Sequence, residues 1–163
     1  MTDPTFETAL AAARAYCATI DQRRELELDA FLVAVHRTIS ALYATVLALP
    51  EIEPPEADYP DGWSHADWSV LYHDLQGLLG PLDHYREIFH PYEDESEPPV
   101  VGSLADALAD VYGVAVNALS IADQGMLTDA AFDLGLQFEI IAGHGAVDAM
   151  RAIDAHRFHS YDE

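Results

Sequence analysis

The sequence predicts an all-α fold, a single-domain up-and-down bundle of about five helices joined by long loops rich in proline and acidic residues. Three observations support this prediction. Apolar residues recur at alternating spacings of four and three, as on a helix face that packs against a neighbour. No segment shows the alternation typical of a half-buried strand. With 163 residues, half of them apolar, the chain can build one core, so we expect residues 1–163 to form one domain.

The first two helices follow directly from this spacing. Asp3 and Pro4 provide an N-cap and a first-position signal, which predict a first helix from Pro4 to Ile20. Its expected buried face consists of Phe6, Leu10, Ala13, Cys17 and Ile20. The second helix is expected to bury Leu28, Leu32, Val35, Ile39, Leu42, Val46 and Leu49. Pro50 ends it, because proline lacks the amide donor that a helix requires.

Loops surround the third helix. Prolines mixed with acidic residues between Pro50 and Pro60 predict a long loop. Ser64 has the chemistry of an N-cap, and the helical period that follows it runs to Leu82. Gly80 and Pro81 predict a break or kink just before that end.

The segment YREIF is expected to continue the third helix at an altered angle until Pro91 ends it. Three aromatic residues, Tyr85, Phe89 and Tyr92, are expected to hold this end of the helix against the bundle. The loop that follows carries Glu93, Asp94, Glu95 and Glu97. It lacks the ligand alternation and central glycine of a calcium loop, so we interpret it as a solvated acidic loop.

Gly102 and Ser103 begin the fourth helix, whose expected buried face consists of Leu104, Leu108, Val111, Ala115, Ala118 and Ala122. Thr128 is expected to cap the fifth. The predicted buried face of the fifth helix consists of Phe132, Leu136, Ile140, Gly143, Val147 and Met150. Because glycine weakens a helix, Gly143 and Gly145 predict a kink or a close helix contact around His144.

Composition excludes several classes of function. The chain has 29 acidic residues and seven basic ones, all of them arginine, for a net charge of −22. This charge repels phosphates and anionic lipids, so we expect neither nucleic acid nor a membrane as partner. A solvated surface explains the charge most simply, and a basic partner or a cation would also suit it. The lone Cys17 and the absence of a signal-peptide pattern at the start indicate a cytoplasmic protein.

Two patterns suggest a site. Glu87 and His90 have the E-x-x-H spacing of di-iron bundles, but those sites need a second such motif and none is present, so we predict no metal. On the fifth helix, Gln137, His144, Asp148 and Arg151 fall within an arc of about 60°. Asp148 could orient His144 as a base or metal ligand while Arg151 binds an anion, or the same residues could form an ordinary ion pair at the rim.

The fourth helix offers a second wall for such a site, because Asp106 and Asp110 lie four residues apart and so share one side of it. The candidate ligand-binding residues are therefore His144, Asp148, Arg151, Asp106 and Asp110, together with Tyr85 at the joint before the fourth helix. No nucleophile motif and no phosphate-binding glycine loop is present. We therefore predict no catalytic residues and no cofactor.

The stretches YREIFHPYEDE and VVGSLADALADVY resemble family 5063 of the bacterial domains of unknown function. LALP at the end of the second helix, Gly143-His144-Gly145 and VDAMRAID are also similar to it, so the resemblance covers most of the chain. It implies a helical bacterial protein without an assigned function, and it supplies no catalytic residues.

Three hypotheses for function follow. The leading one is a non-enzymatic module that binds a small ligand or a protein partner. The second is a metal-binding protein or enzyme with a polar site between the fourth and fifth helices. The third is an acidic immunity-type or decoy protein that neutralises a basic partner through salt-sensitive binding. Aromatic surface left over from the bundle would favour a homodimer.

Overall fold

The computed structural model describes residues 2–59, 62–88, 90–93 and 97–159. The helices are α1 Pro4–Asp21, α2 Leu28–Leu47, α3 His65–Leu79, α4 Leu104–Ala122, α5 Leu127–Gln137 and α6 Gly143–Phe158, and the strands are β1 His84–Glu87 and β2 Val100–Ser103. A π-helical turn, Phe138–Ala142, joins α5 directly to α6. If that join is counted as one helix, the described residues form five, and the prediction of an all-α bundle is confirmed.

Helix α4 is the central element of the bundle. It packs against α1, α3, α5 and α6. The predicted faces of α1 and α4 are buried at every position, which confirms both. The hydroxyl of the fully buried Tyr16 donates to the Leu108 carbonyl over 2.8 Å, so even the polar atom of this core side chain is satisfied.

The segment after α3 is not helical, and the prediction of a continued helix without strands is wrong. Helix α3 ends at Leu79, and Gly80 has a φ of +54°, a conformation that other residues adopt rarely. A 3₁₀ turn covers Gly80–Asp83, and β1 then pairs antiparallel with β2, with Tyr85 opposite Gly102. The two strands form a ribbon whose partners are about fifteen residues apart, a pairing that local periodicity does not reveal.

The expected aromatic contact at this joint is only partly present. Tyr85 is half-buried, but Tyr92 is fully exposed, so its predicted packing is wrong. Phe89 lies outside the described residues, as do Asp94, Glu95 and the terminal residues 160–163.

A buried carboxylate holds the ribbon to α4. Asp83 has no exposed surface, and its Oδ1 accepts hydrogen bonds from Ser103 Oγ at 2.9 Å and from the Ala105 amide at 2.7 Å. Ser103 Oγ in turn accepts from the Asp106 amide at 3.2 Å, as expected of an N-cap. These residues, the Asp83 junction, place a negative charge at the positive end of α4, where it is stabilised.

The predicted buried face of the fifth helix is wrong. The face that packs inward consists of Ala131, Leu134, Phe138, Ala142, Ala146, Ala149 and Ile153. Ile140 and Val147 are instead 65% and 43% exposed. The small alanines allow α6 to approach α4 closely, so the larger side chains are left outside. The predicted cap is also wrong, because the N-cap is Met126 and it makes no side-chain capping bond.

Helices α2 and α4 are long and apolar enough to cross a membrane by length and composition. About two thirds of the apolar window of α4 is buried within the bundle, as in the core helix of a globular protein. In α2, 28% of the corresponding window is buried. The absence of a membrane partner therefore stays a prediction.

Candidate functional site

A polar cavity of about 360 Å³ lies where the ribbon, α4 and α6 meet. Its titratable lining residues come in pairs: Tyr85 and Glu87 from β1, Asp106 and Asp110 from α4, and His144 and Asp148 from α6. We call this the acidic cavity. Of the six candidate residues chosen from the sequence, the five other than Arg151 line it.

Arg151 and Gln137 were predicted on the same stripe as His144, and neither lines the cavity. Arg151 is nonetheless close enough for its charge to lower the pKa of Glu87. Gln137 precedes the π-helical turn, which adds one residue to the helical register. Side chains before the turn are therefore rotated by roughly 100° from the position that an unbroken helix predicts.

Gly102 allows Tyr85 to face the cavity. A Cβ atom at position 102 would lie 2.6 Å from carbon atoms of the Tyr85 ring. The ring therefore lies against the bare backbone of β2. Because alternate residues of a strand share a face, Tyr85 brings Glu87 to the same side of the ribbon.

Two glycines position His144. The Gly143 amide donates to the Phe138 carbonyl, and a Cβ at position 143 would lie 2.6 Å from that oxygen. A Cβ at position 145 would lie 3.3 Å from Ala107 Cβ, so α6 and α4 are close here. The predicted irregularity around His144 is confirmed. Such π-helical turns are frequent at functional sites.

Glu87 and Asp148 form a carboxyl pair across the cavity. A hydrogen bond that the protonated Glu87 donates to Asp148, followed by burial and the negative charge of Asp148, raises the pKa of Glu87 to about 7, and Arg151 opposes this rise. Glu87 therefore keeps a proton up to near-neutral pH. Glu87 was singled out in the sequence for a different reason, its spacing from His90. The signal that would have placed it here is the strand period shared with Tyr85.

The remaining carboxyl groups also have raised pKa values. Burial is the main cause for both Asp106 and Asp110, and the charge of Asp83 adds to it at Asp106. At Asp110 the charge of Asp106 adds to burial, while the Trp68 indole N–H, which donates to Oδ1 over 2.8 Å, lowers the pKa. Four carboxyl groups thus crowd one cavity, and Trp68 fixes the orientation of one of them.

No group of three or more histidine, cysteine, aspartate or glutamate side chains is arranged to hold a metal ion in the parts of the chain that the structure describes. Glu87 and His90, the two members of the E-x-x-H motif, interact with different residues. Glu87 pairs with Asp148, whereas Nδ1 of the exposed His90 lies 3.3 Å from a carboxylate oxygen of Glu97.

A second cavity of about 610 Å³ lies between the end of α2 and the α5 helix with its π-helical turn. Its walls are mostly apolar, with Tyr43, Leu47, Phe132, Leu136 and Phe138 among them. We call it the apolar groove. His144 lines both cavities.

A family model described as a domain of unknown function (DUF5063) matches residues 2–159. The chain belongs to this family. The resemblance seen in the sequence is confirmed, and the family brings no activity to this DUF5063 protein.

The crystal structure of protein BF1032 from Bacteroides fragilis is similar to this DUF5063 chain, with a TM-score of 0.84. The similarity covers 99% of this chain and 97% of that one, at 18% sequence identity. This likeness supports the helical fold. No curated protein matches the chain.

Proposed function

We propose that this protein is a binding module for a small ligand and that the acidic cavity takes an ammonium group of that ligand. The observation that supports this most directly is the convergence of four carboxyl groups and a tyrosine ring from three elements on one cavity. No arginine is among the described residues that line it. A cation there would relieve the repulsion between carboxylates and lie beside an aromatic ring that attracts positive charge.

The carboxyl pair gives this proposal a specific mechanism. Below the pKa of Glu87, a proton lies between Glu87 and Asp148. Above it, Glu87 has lost this proton, and an ammonium N–H can take its place. Hydrogen bonds to charged groups contribute about 1.5–3 kcal/mol each. Affinity for an ammonium ion should therefore rise as the pH rises through about 7.

A titration with n-butylammonium, followed by NMR shifts of the cavity residues, tests this proposal. We expect binding at about pH 8 that weakens roughly tenfold at about pH 5.5, because the proton on Glu87 then competes with the ammonium ion. Neutral 1-butanol should not bind in the cavity. Asp148→Asn should weaken amine binding at about pH 8, because it removes one of the two charges.

The control is Asp58→Asn, which makes the same charge change on an exposed loop residue. Because the whole chain carries a charge of −22, some amine will associate without a site. Equal affinities of the two variants would show that net charge alone attracts the amine, and the proposal would then be wrong.

The carboxyl pair also favours a second candidate function, an enzyme that transfers a proton. A carboxyl group with a pKa of about 7 can act as either acid or base at neutral pH. In that case a bound substrate would be converted, and Glu87→Gln would abolish conversion even at substrate concentrations high enough to offset its weaker binding. Recovery of the bound amine unchanged after long incubation, across a panel of amines, would argue against an enzyme.

A lysine or arginine side chain on a basic protein could present the same cationic group, as the immunity-type hypothesis requires. Such a complex would weaken steeply with added salt. A partner whose affinity stays flat across an ionic-strength series would exclude this mode of binding. A homodimer would be tested by substitutions at the exposed apolar residues Ile140, Ile141 and Val147.

A further inference from the structure

The apolar groove has the size and lining of a small-molecule site. Its volume of about 610 Å³ falls in the range of pockets that hold small organic ligands, which are mostly apolar with a few polar groups. Phe132 and Leu136 of α5 face it, although the periodicity predicted them in the core. These two side chains are only partly buried because alanines occupy the inward face of the helix.

The acidic cavity and the apolar groove meet at the first turn of α6. Gly143 lines the groove, Gly145 lines the acidic cavity, and His144 between them lines both. The neighbouring surface is apolar, because Ile140 is exposed and the partly exposed Ile141 forms part of the acidic cavity. An apolar chain could therefore pass from one cavity to the other over His144 and the two isoleucines.

The charges around the groove select the kind of ligand. Glu51 and Glu139 are the carboxylate residues that line it, and no arginine is among the described residues that form it. A fatty acid would bring a carboxylate into this negative surface and be repelled. A ligand with an apolar body and a cationic head complements both cavities.

We propose that the two cavities form one composite site for an amphiphilic amine, with the ammonium group in the acidic cavity and the alkyl or aryl body in the groove. This inference rests on the proposed function and names its ligand class. His144 lies where the head of the ligand joins its body and acts as a positioning residue.

A series of n-alkylammonium ions from butyl to octyl, titrated by calorimetry at about pH 8 and near-physiological salt, tests the inference. Each methylene group buried in the groove should tighten binding about three- to fourfold. Octanoate, which has the same body and the opposite head charge, should bind far more weakly than octylammonium.

Gly135→Met fills the groove without changing the net charge. Gly135 lines the groove, and a Cβ there would lie 3.6 Å from Leu49 Cδ1, an ordinary contact. This variant should abolish the gain in affinity that each added methylene group brings. Gly77→Met is the matched control, since Gly77 lies on α3 with no atom within 4 Å of its would-be Cβ.

The outcomes separate the two proposals. If butylammonium binds in a manner that depends on Asp148 but affinity is the same for every chain length, the composite site is wrong and the ammonium site remains. If octylammonium and 1-octanol bind equally, and Asp148→Asn affects neither, the groove binds apolar molecules alone and both proposals fail. If affinity rises with chain length in Gly77→Met but not in Gly135→Met, the composite site is established.

Discussion

Two carboxyl groups four residues apart, Asp83 and Glu87, have opposite surroundings. Asp83 is fully buried, and hydrogen-bond donors from Ser103 and Ala105 meet its Oδ1. Glu87 is half-buried and faces another carboxyl group, Asp148. The first arrangement satisfies a negative charge with fixed donors, whereas the second leaves an excess of negative charge in an accessible cavity.

This difference separates a structural acid from a candidate binding acid. A buried charge without partners is costly, so the donors around Asp83 show that it stabilises the fold. Repulsion between carboxyl groups costs free energy as well, so Glu87 does not stabilise the fold by facing Asp148. A site that binds a cation would explain why such a pair is present.

The largest effect is expected at the Asp83 junction. Asp83→Ala removes two hydrogen bonds to a charged group and leaves the buried Ala105 amide without its acceptor, which should lower the free energy of unfolding by about 3 kcal/mol. Urea denaturation monitored by circular dichroism measures this change. Asp58→Ala, with the same charge change on an exposed residue, should stay within about 0.5 kcal/mol of the parent. Similar losses in the two variants would contradict the structural role of Asp83.

Alanine substitutions at two glycines that line the apolar groove should change stability by smaller amounts, with opposite signs. Gly143→Ala places a methyl group against the Phe138 carbonyl oxygen and should cost about 1–3 kcal/mol of stability. Gly135→Ala makes only an ordinary contact and should stabilise the protein by about 0.5–1 kcal/mol. Thermal unfolding distinguishes the two variants. Stabilisation by both would mean that the π-helical turn does not need glycine.

The smallest effect is the pH dependence of the carboxyl pair. Folded Glu87 keeps its proton up to a pH of about 7, whereas in the unfolded chain this carboxyl group has its ordinary pKa of 4.5. The folded state therefore binds more protons between these values, and stability falls as the pH rises through this window. Glu87→Gln should be more stable than the parent at about pH 8, by about 1 kcal/mol or less after solvent screening.

The two proteins should be nearly equal in stability below about pH 4.5, where the glutamate is protonated in both states. Denaturation curves at the two pH values measure this difference. If the free energies of unfolding of parent and variant differ by the same amount at both pH values, Glu87 does not titrate as described.

The parts of the fold that could be predicted are those controlled by local periodicity. The buried faces of α1 and α4 repeat at helical spacing, and every predicted position is buried. Periodicity failed for the fifth helix, because its large residues Phe132, Ile140 and Val147 repeat at helical spacing on the side that does not pack inward. Packing there is decided by how closely α4 can approach, and the buried Ala142, Ala146 and Ala149 permit a close approach.

The candidate site divides in the same way. Pairs on one helix, such as Asp106 with Asp110 or His144 with Asp148, are neighbours wherever the helix packs, so the sequence alone placed them together. Their convergence with Glu87 depends on the ribbon, which forms when residues 84–87 pair with residues 100–103. The sequence determined the helices, the net charge and most of the candidate side chains. Only the tertiary structure decided which carboxyl groups meet, because that pairing depends on contacts between elements far apart in the chain.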